Sequence, residues 1–127
     1  MQFDTGSPIW VQLVAEFSRR IVTGAWPTGS RIPGVRDLAG ELGVNPNTVQ
    51  RALAELERQG VCRSERTAGR FVTADTDRVD ALRAELARDT VDGFVRRARG
   101  LGMTSTQAQR LIEERWHDHH TDPAAGA

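Results

Sequence analysis

Between Leu42 and Arg51 the chain reads LGVNPNTVQR, and these ten residues restrict its fold more than any others. Gly43 can take the positive φ that ends one short helix, and Asn45 can accept a hydrogen bond from the first free amides of the next. Pro46, at the first helical position, has no amide to leave unsatisfied, so this helix is expected to start at Asn45. At about 100° per residue, Val49, Ala52, Leu53 and Leu56 converge on one side of it, and Asn47, Gln50, Arg51, Ala54 and Arg58 fall on the other. An uncovered stripe of amide and guanidinium groups suits nucleic acid, because Asn and Gln pair bidentately with adenine and Arg with guanine or phosphate.

Upstream, Val35, Leu38, Ala39 and Leu42 follow the i, i+3, i+4, i+7 spacing of a short amphipathic helix. Two short helices about a tight glycine turn make a helix-turn-helix. Downstream, Gly60 ends the pattern, and the β-prone segments VCRS (61–64) and RFVT (70–73), separated by ERTAG (65–69), predict a hairpin wing. Arg63, Arg66 and Arg70 would decorate the wing, with Val61 and Phe71 turned towards the helices. A first helix is predicted from Pro8 to about Thr23, with Ser7 as N-cap, Gly24 as stop, and Ile9, Leu13, Phe17 and Ile21 on its apolar face. Trp10 and Val14 flank that face. The bent connection GAWPTGSRIP (24–33) offers Trp26 and Ile32 as core plugs. The expected fold is mainly α with a small β-hairpin: a winged helix-turn-helix domain over 1–73, then two C-terminal helices over 74–120.

In that tail, Val79, Leu82, Leu86, Thr90 and Phe94 advance by three or four residues along a helix of about 20 residues that Gly100 and Gly102 would end. Thr104 and Gln107 have capping-box spacing, and Ala108, Leu111, Ile112 and Trp116 form the apolar face of a last helix. Two such helices cannot bury both faces. Val79, Leu82, Leu86, Phe94, Leu111, Ile112 and Trp116 are therefore expected to meet the same surface of a second copy in a two-fold homodimer. Residues 121–127 are expected to be disordered.

The 127 residues leave room for one compact domain, or a small domain with an oligomerisation segment. With no long apolar run and no secretory leader, no membrane partner and a cytoplasmic location are expected. The single cysteine, Cys62, cannot form an internal disulfide, and the neighbouring Arg63 suggests a polar setting that would lower its pKa. Formal net charge is zero, but residues 1–73 carry nine Arg against seven acidic groups and the remainder eight against ten. Attraction to nucleic acid must then be local to the wing and the exposed stripe. No nucleophile with its base, phosphate-binding glycine loop or paired carboxylates stands out, so neither an enzyme nor a cofactor is expected. His117, Asp118, His119 and His120 look like a metal cluster, yet a terminal run lacks converging ligands and supporting hydrogen bonds, so no metal site is expected. A metal-responsive regulator built on those histidines is one rival reading, and a winged-helix module that binds another protein is a second.

Residues 8–72 resemble the winged-helix domain of GntR-type bacterial transcription regulators. The resemblance is carried by PTGSRIP, VRDLA, NPNTVQRAL, ELERQG and GRFV. The short two-helix tail resembles the YtrA subfamily of small dimeric repressors that often control transporter operons. The resemblance implies that Arg36 contacts phosphate or a base from the second helix, that Asn47, Thr48, Gln50 and Arg51 meet the major groove, and that Gly69 lets the wing tip enter the minor groove. Gly34 replaces the serine that commonly caps the second helix in this family. Thr67, Ala68, Gly69 and Arg70 stand where the wing usually reads Gly-Lys-Gly-Thr, so Arg66 and Arg70 are expected to supply its charge. The function expected is that of a sequence-specific dimeric repressor on double-stranded operator DNA, at a transporter promoter or its own. Any small-molecule effector would sit at the dimer interface or between domain and tail, the alternative being that there is none, because two short helices leave little room for a cavity of about 300 Å³.

Overall fold

The computed structural model describes residues 1–119. Five helices and a two-stranded antiparallel sheet follow in the order α1 (Ile9–Val22), α2 (Val35–Leu42), α3 (Pro46–Arg58), β1 (Cys62–Glu65), β2 (Gly69–Val72), α4 (Thr76–Gly100) and α5 (Ser105–Asp118). This is a winged helix-turn-helix followed by a helical tail. The chain divides into two compact units, Met1–Leu86 and Ala87 onwards, and the division falls inside α4.

In the first unit, the apolar stripes of α1, α2 and α3 meet in one core. Leu13, Phe17 and Ile21 pack with Leu38, Val49, Leu53 and Leu56, each almost completely buried. Trp26 and Ile32 plug this core from the connection, the Trp26 ring lying 5.1 Å from that of Phe17. Ile9 does not join them and is exposed. Pro8, not Ser7, occupies the N-cap position of α1 and makes no side-chain capping bond.

The strands pair in the register Cys62↔Val72, Arg63↔Phe71, Ser64↔Arg70 and Glu65↔Gly69. Side chains alternate across a strand, so Cys62, Val72, Ser64 and Arg70 share one face and Arg63 and Phe71 the other. Cys62 and Val72 are buried, and Ser64 and Arg70 reach Glu57 on α3, so that first face is the one turned towards the helices. Val72, one residue beyond the expected Phe71, is the inward plug, with Val61 just before β1 buried beside it. Residues 29–32 also run along β2: the Ile32 amide donates to the Arg70 carbonyl at 2.8 Å and the Val72 amide to that of Ser30 at 2.9 Å. Arg31 and Phe71 form a bridge there.

Helix α4 starts earlier than its apolar seam suggests, because the Asp75 carboxylate accepts from the amides of Asp77 (3.0 Å) and Arg78 (3.3 Å). Its first turns belong to the core. Val79 and Leu82, expected on the dimer seam, are 5% and 3% exposed and pack into the first unit. Two arginines fasten them: Arg78 Nε donates to the Gln59 carbonyl at 3.0 Å and Arg83 Nη2 to the Val22 carbonyl at 2.9 Å. Both carbonyls belong to helix C-termini, where backbone acceptors lack intrahelical donors and favour a cation. The compact unit therefore reaches Leu86 and not residue 73.

In the second unit, α5 opens with the expected capping box: Thr104 Oγ1 accepts from the Gln107 amide at 3.2 Å, and Gln107 Oε1 from the Thr104 amide at 2.9 Å. A groove of about 430 Å³ between the end of α4 and α5 is lined by Phe94, Val95, Met103 and Ile112 among others. Val91, Leu101, Leu111 and Trp116 are also exposed there.

Candidate nucleic-acid interface

Helix α3 is placed by its turn. Gly43, at φ 67°, ends α2 in the left-handed conformation, and the Val44 amide turns back to the Ala39 carbonyl at 3.1 Å. Asn45 then caps α3 by accepting from the Asn47 amide at 2.7 Å, with Pro46 in the first turn. Burial of Val49, Ala52, Leu53 and Leu56 fixes the rotation of the helix, which leaves Asn47, Gln50, Arg51, Ala54 and Arg58 exposed along one stripe. Thr48 is half-buried at the margin.

Neighbouring elements brace both edges of that stripe. On the wing side, Gln50 Oε1 accepts from Arg70 Nη1 at 3.5 Å, and Glu57 Oε1 accepts from Arg70 Nε at 3.4 Å and from Ser64 Oγ at 2.5 Å. On the α1 side, the Arg51 guanidinium lies over the Trp10 ring, 4.2 Å from its centroid. At the C-terminal end, Arg58 is tied to Glu55 through two hydrogen bonds, which hold the Glu55 carboxyl down at about 2, helped by Gln59.

The arginines differ in how much of their charge is already met. Arg63 pairs with Glu65 and stacks on Phe71 at 5.2 Å. Arg70 is held by Glu57 with its side chain 17% exposed. Arg36 and Arg66 are exposed and have no hydrogen-bond or ion-pair partner among the described residues. Glu41, a neighbour that could have neutralised Arg36, instead accepts from Arg20 at 2.6 Å. Arg31 is a cation that sequence reading passed over. Its side chain lies against Gly69, where φ is 105° and an added Cβ would stand 2.8 Å from Arg31 Nε. Glycine is required there for its conformation, since other residues are strained at such a φ, whereas the end of the Arg31 side chain can swing aside. Arg31, Arg66 and Arg70 together line a cavity of about 380 Å³ between the wing and the start of α2. Only the bridge to β2 brings Arg31 there, and the one local hint is its place in the turn-rich TGSRIP stretch.

Two expectations are corrected by this geometry. Cys62 is not in a polar setting: it is 4% exposed, and burial pushes its thiol up to about 11. Val79 and Leu82 are core residues, which leaves Leu86, Phe94, Leu111, Ile112 and Trp116 of the expected dimer seam. At the end of α5, Arg115 bonds Asp118 at 2.9 Å and approaches His119 Nε2 at 3.3 Å, and no group of three metal-ligating side chains occurs among the described residues. His120 and residues 121–127 lie outside the described residues. No helix among the described residues is long and apolar enough to cross a membrane.

The sequence signature described as "Bacterial regulatory proteins, gntR family" matches residues 11–72. The chain is 35% identical over 106 residues to the HTH-type transcriptional regulator YhcF of Bacillus subtilis, covering 84% of this chain and 88% of that protein. It is 33% identical over 69 residues to the HTH-type transcriptional repressor YtrA of the same organism, covering 54% of this chain and 53% of YtrA. The structure of a GntR family transcriptional regulator from Listeria monocytogenes superposes with a TM-score of 0.74 at 33% identity, covering 88% of this chain and 98% of that one.

Proposed function

The chain belongs to the GntR family of bacterial regulatory proteins, and from that footing we propose a dimeric repressor that lays α3 of each copy into successive major-groove half-sites of an operator. It is a DNA-binding transcriptional regulator; the repressing role is supported by its similarity to a relative that carries the name of repressor. The observation that carries the proposed mode of binding is the exposed stripe of α3, whose amide and guanidinium groups are capped, rotated and braced by the surrounding fold. Asn47, Gln50 and Arg51 read base edges in this account, with Thr48 at the backbone. Arg36 and Arg66, whose charges are unmet within the described residues, grip phosphate, and Gly69 brings the wing tip close to the minor groove. Arg70 acts first by holding Gln50 in place.

The second copy is proposed to cover the apolar surface of the tail through Phe94, Leu111, Ile112 and Trp116, and the exposed Leu86 of the first unit is proposed to meet it too. Such pairing sets the half-site spacing. Footprinting of the full chain on the DNA upstream of its own gene tests the whole reading. Two protected half-sites with centres about one helical turn, or a multiple of it, apart are expected. Equal protection along the fragment, at concentrations where any duplex binds, would refute sequence-specific repression.

A further inference from the structure

Trp10 lies in the first turn of α1 and is half-buried, but it is not part of the hydrophobic core. Its chain neighbours Ile9 and Val11 are exposed, whereas Leu13 and Val14, one turn on, are buried and half-buried. Over the ring lies the guanidinium of Arg51, whose Cζ stands 4.2 Å from the ring centroid, inside the roughly 6 Å range in which an aromatic face attracts a cation. Arg51 has no hydrogen bond or ion pair among the described residues, so the ring is its one fixed contact there. A planar guanidinium stacks flat on indole and keeps its edge N–H groups free to donate. A stacked Arg51 thus keeps its fork available to DNA.

We propose that Trp10 is a positioning residue for Arg51, so that α1 contributes to sequence preference without itself reading a base. A longer contact lies on the other edge of α3, where Arg70 Nη1 stands 3.5 Å from Gln50 Oε1. Fixing the fork before DNA arrives removes part of the side-chain ordering cost from the binding step and favours sequences that match its orientation. This inference rests on the reading that Arg51 meets DNA.

The test is a double-mutant cycle on the full chain, measured by competition between its own upstream fragment and a random duplex of equal length. Trp10→Leu should reduce the preference for the upstream fragment about two- to fivefold, the range expected for loss of an exposed cation–π contact. Trp10→Phe, which keeps a weaker ring face, should recover part of it. In an Arg51→Ala background, Trp10→Leu should change nothing further. Should Trp10→Leu fail to fold, as read by circular dichroism, Trp10→Phe with and without Arg51 completes the cycle with a smaller coupling. An equal effect of the Trp10 substitution with and without Arg51 would mean that the ring only supports α1, and tighter binding by Trp10→Leu would mean that it sequesters the arginine. Either result overturns the positioning role alone. An Arg51→Ala protein with unchanged preference would instead overturn the reading of Arg51 as a DNA contact, and the inference with it.

Discussion

Asn47 is the residue on which the proposed base reading can be tested with least disturbance of the fold. Its side chain is exposed, while its backbone amide serves the Asn45 cap and survives truncation of the side chain. Asn47→Ala should therefore leave the melting temperature nearly unchanged and cost about 1–3 kcal/mol of discrimination between operator and random duplex, the value of one bidentate base contact. Equal weakening on both duplexes in a competition assay would show that Asn47 touches only the backbone. Cys62 permits a different test because the sequence contains neither lysine nor tyrosine, so no other side chain titrates between pH 9 and 11. Burial raises the thiol from 9.0 to about 11, meaning that the folded state holds the proton more tightly than the unfolded chain. The sign follows: stability is unaffected below about pH 9 and falls as pH rises towards 11, by at most about 2–3 kcal/mol. Urea unfolding across that range should show the loss in the wild type and not in Cys62→Ala; parallel curves would place the thiol in contact with water. Sequence reading misjudged this residue because it weighed the adjacent Arg63, whereas alternation along β1 sends neighbouring side chains to opposite faces.

Helix α3 was legible because everything that defines it is local: an Asn cap, a proline in the first turn and a 3.6-residue apolar period. The wing was legible as a hairpin but not in its contacts. Its strands lie one residue from the expected positions, and the pairing of residues 29–32 with β2 joins segments about forty residues apart that carry no shared local signal. That pairing brings Arg31 to Gly69, and the register turns Arg70 towards α3 while Arg66 stays at the exposed tip. The two wing arginines, alike in sequence, should then behave differently. Arg66→Ala should weaken binding to operator and random DNA alike and reduce the slope of log K against log salt by about 0.9, one phosphate contact. Arg70→Ala should leave most of that slope in place and reduce the preference for operator, because Gln50 loses its brace. Salt titrations of both variants on both duplexes decide the matter. A full loss of slope in Arg70→Ala would make Arg70 a phosphate ligand and its contact with Gln50 incidental.

For the molecule as a whole, the seam along α4 shows what periodicity cannot convey. The repeat Val79, Leu82, Leu86, Phe94 says that one face of the helix is covered, but it does not say by what. The fold divides the expected seam: Val79 and Leu82 enter the winged-helix core, with Arg78 and Arg83 bound to the helix ends of α3 and α1, whereas Leu86 further along α4 and Ile112 and Trp116 on α5 remain exposed. Substitutions on the two parts should therefore fail in different ways. Leu82→Asp puts a carboxylate into a buried site and should unfold the first unit, since an unpaired buried charge costs several kcal/mol against a typical total stability of about 5–15 kcal/mol. Ile112→Asp should leave circular dichroism and melting of that unit nearly intact and shift the protein from dimer to monomer, with operator affinity falling as the second half-site is lost. Truncation separates the same two roles. A fragment of residues 1–86 keeps Val79, Leu82 and both arginine caps, so it should fold and bind DNA weakly as a monomer, whereas residues 1–73 lose all four and should melt markedly lower. Sedimentation of the Ile112→Asp protein and thermal melts of the two fragments provide the check. An unchanged dimer in Ile112→Asp would move the proposed interface off this face of α5, and equal melting of the two fragments would mean that the first turns of α4 add nothing to the domain they cover.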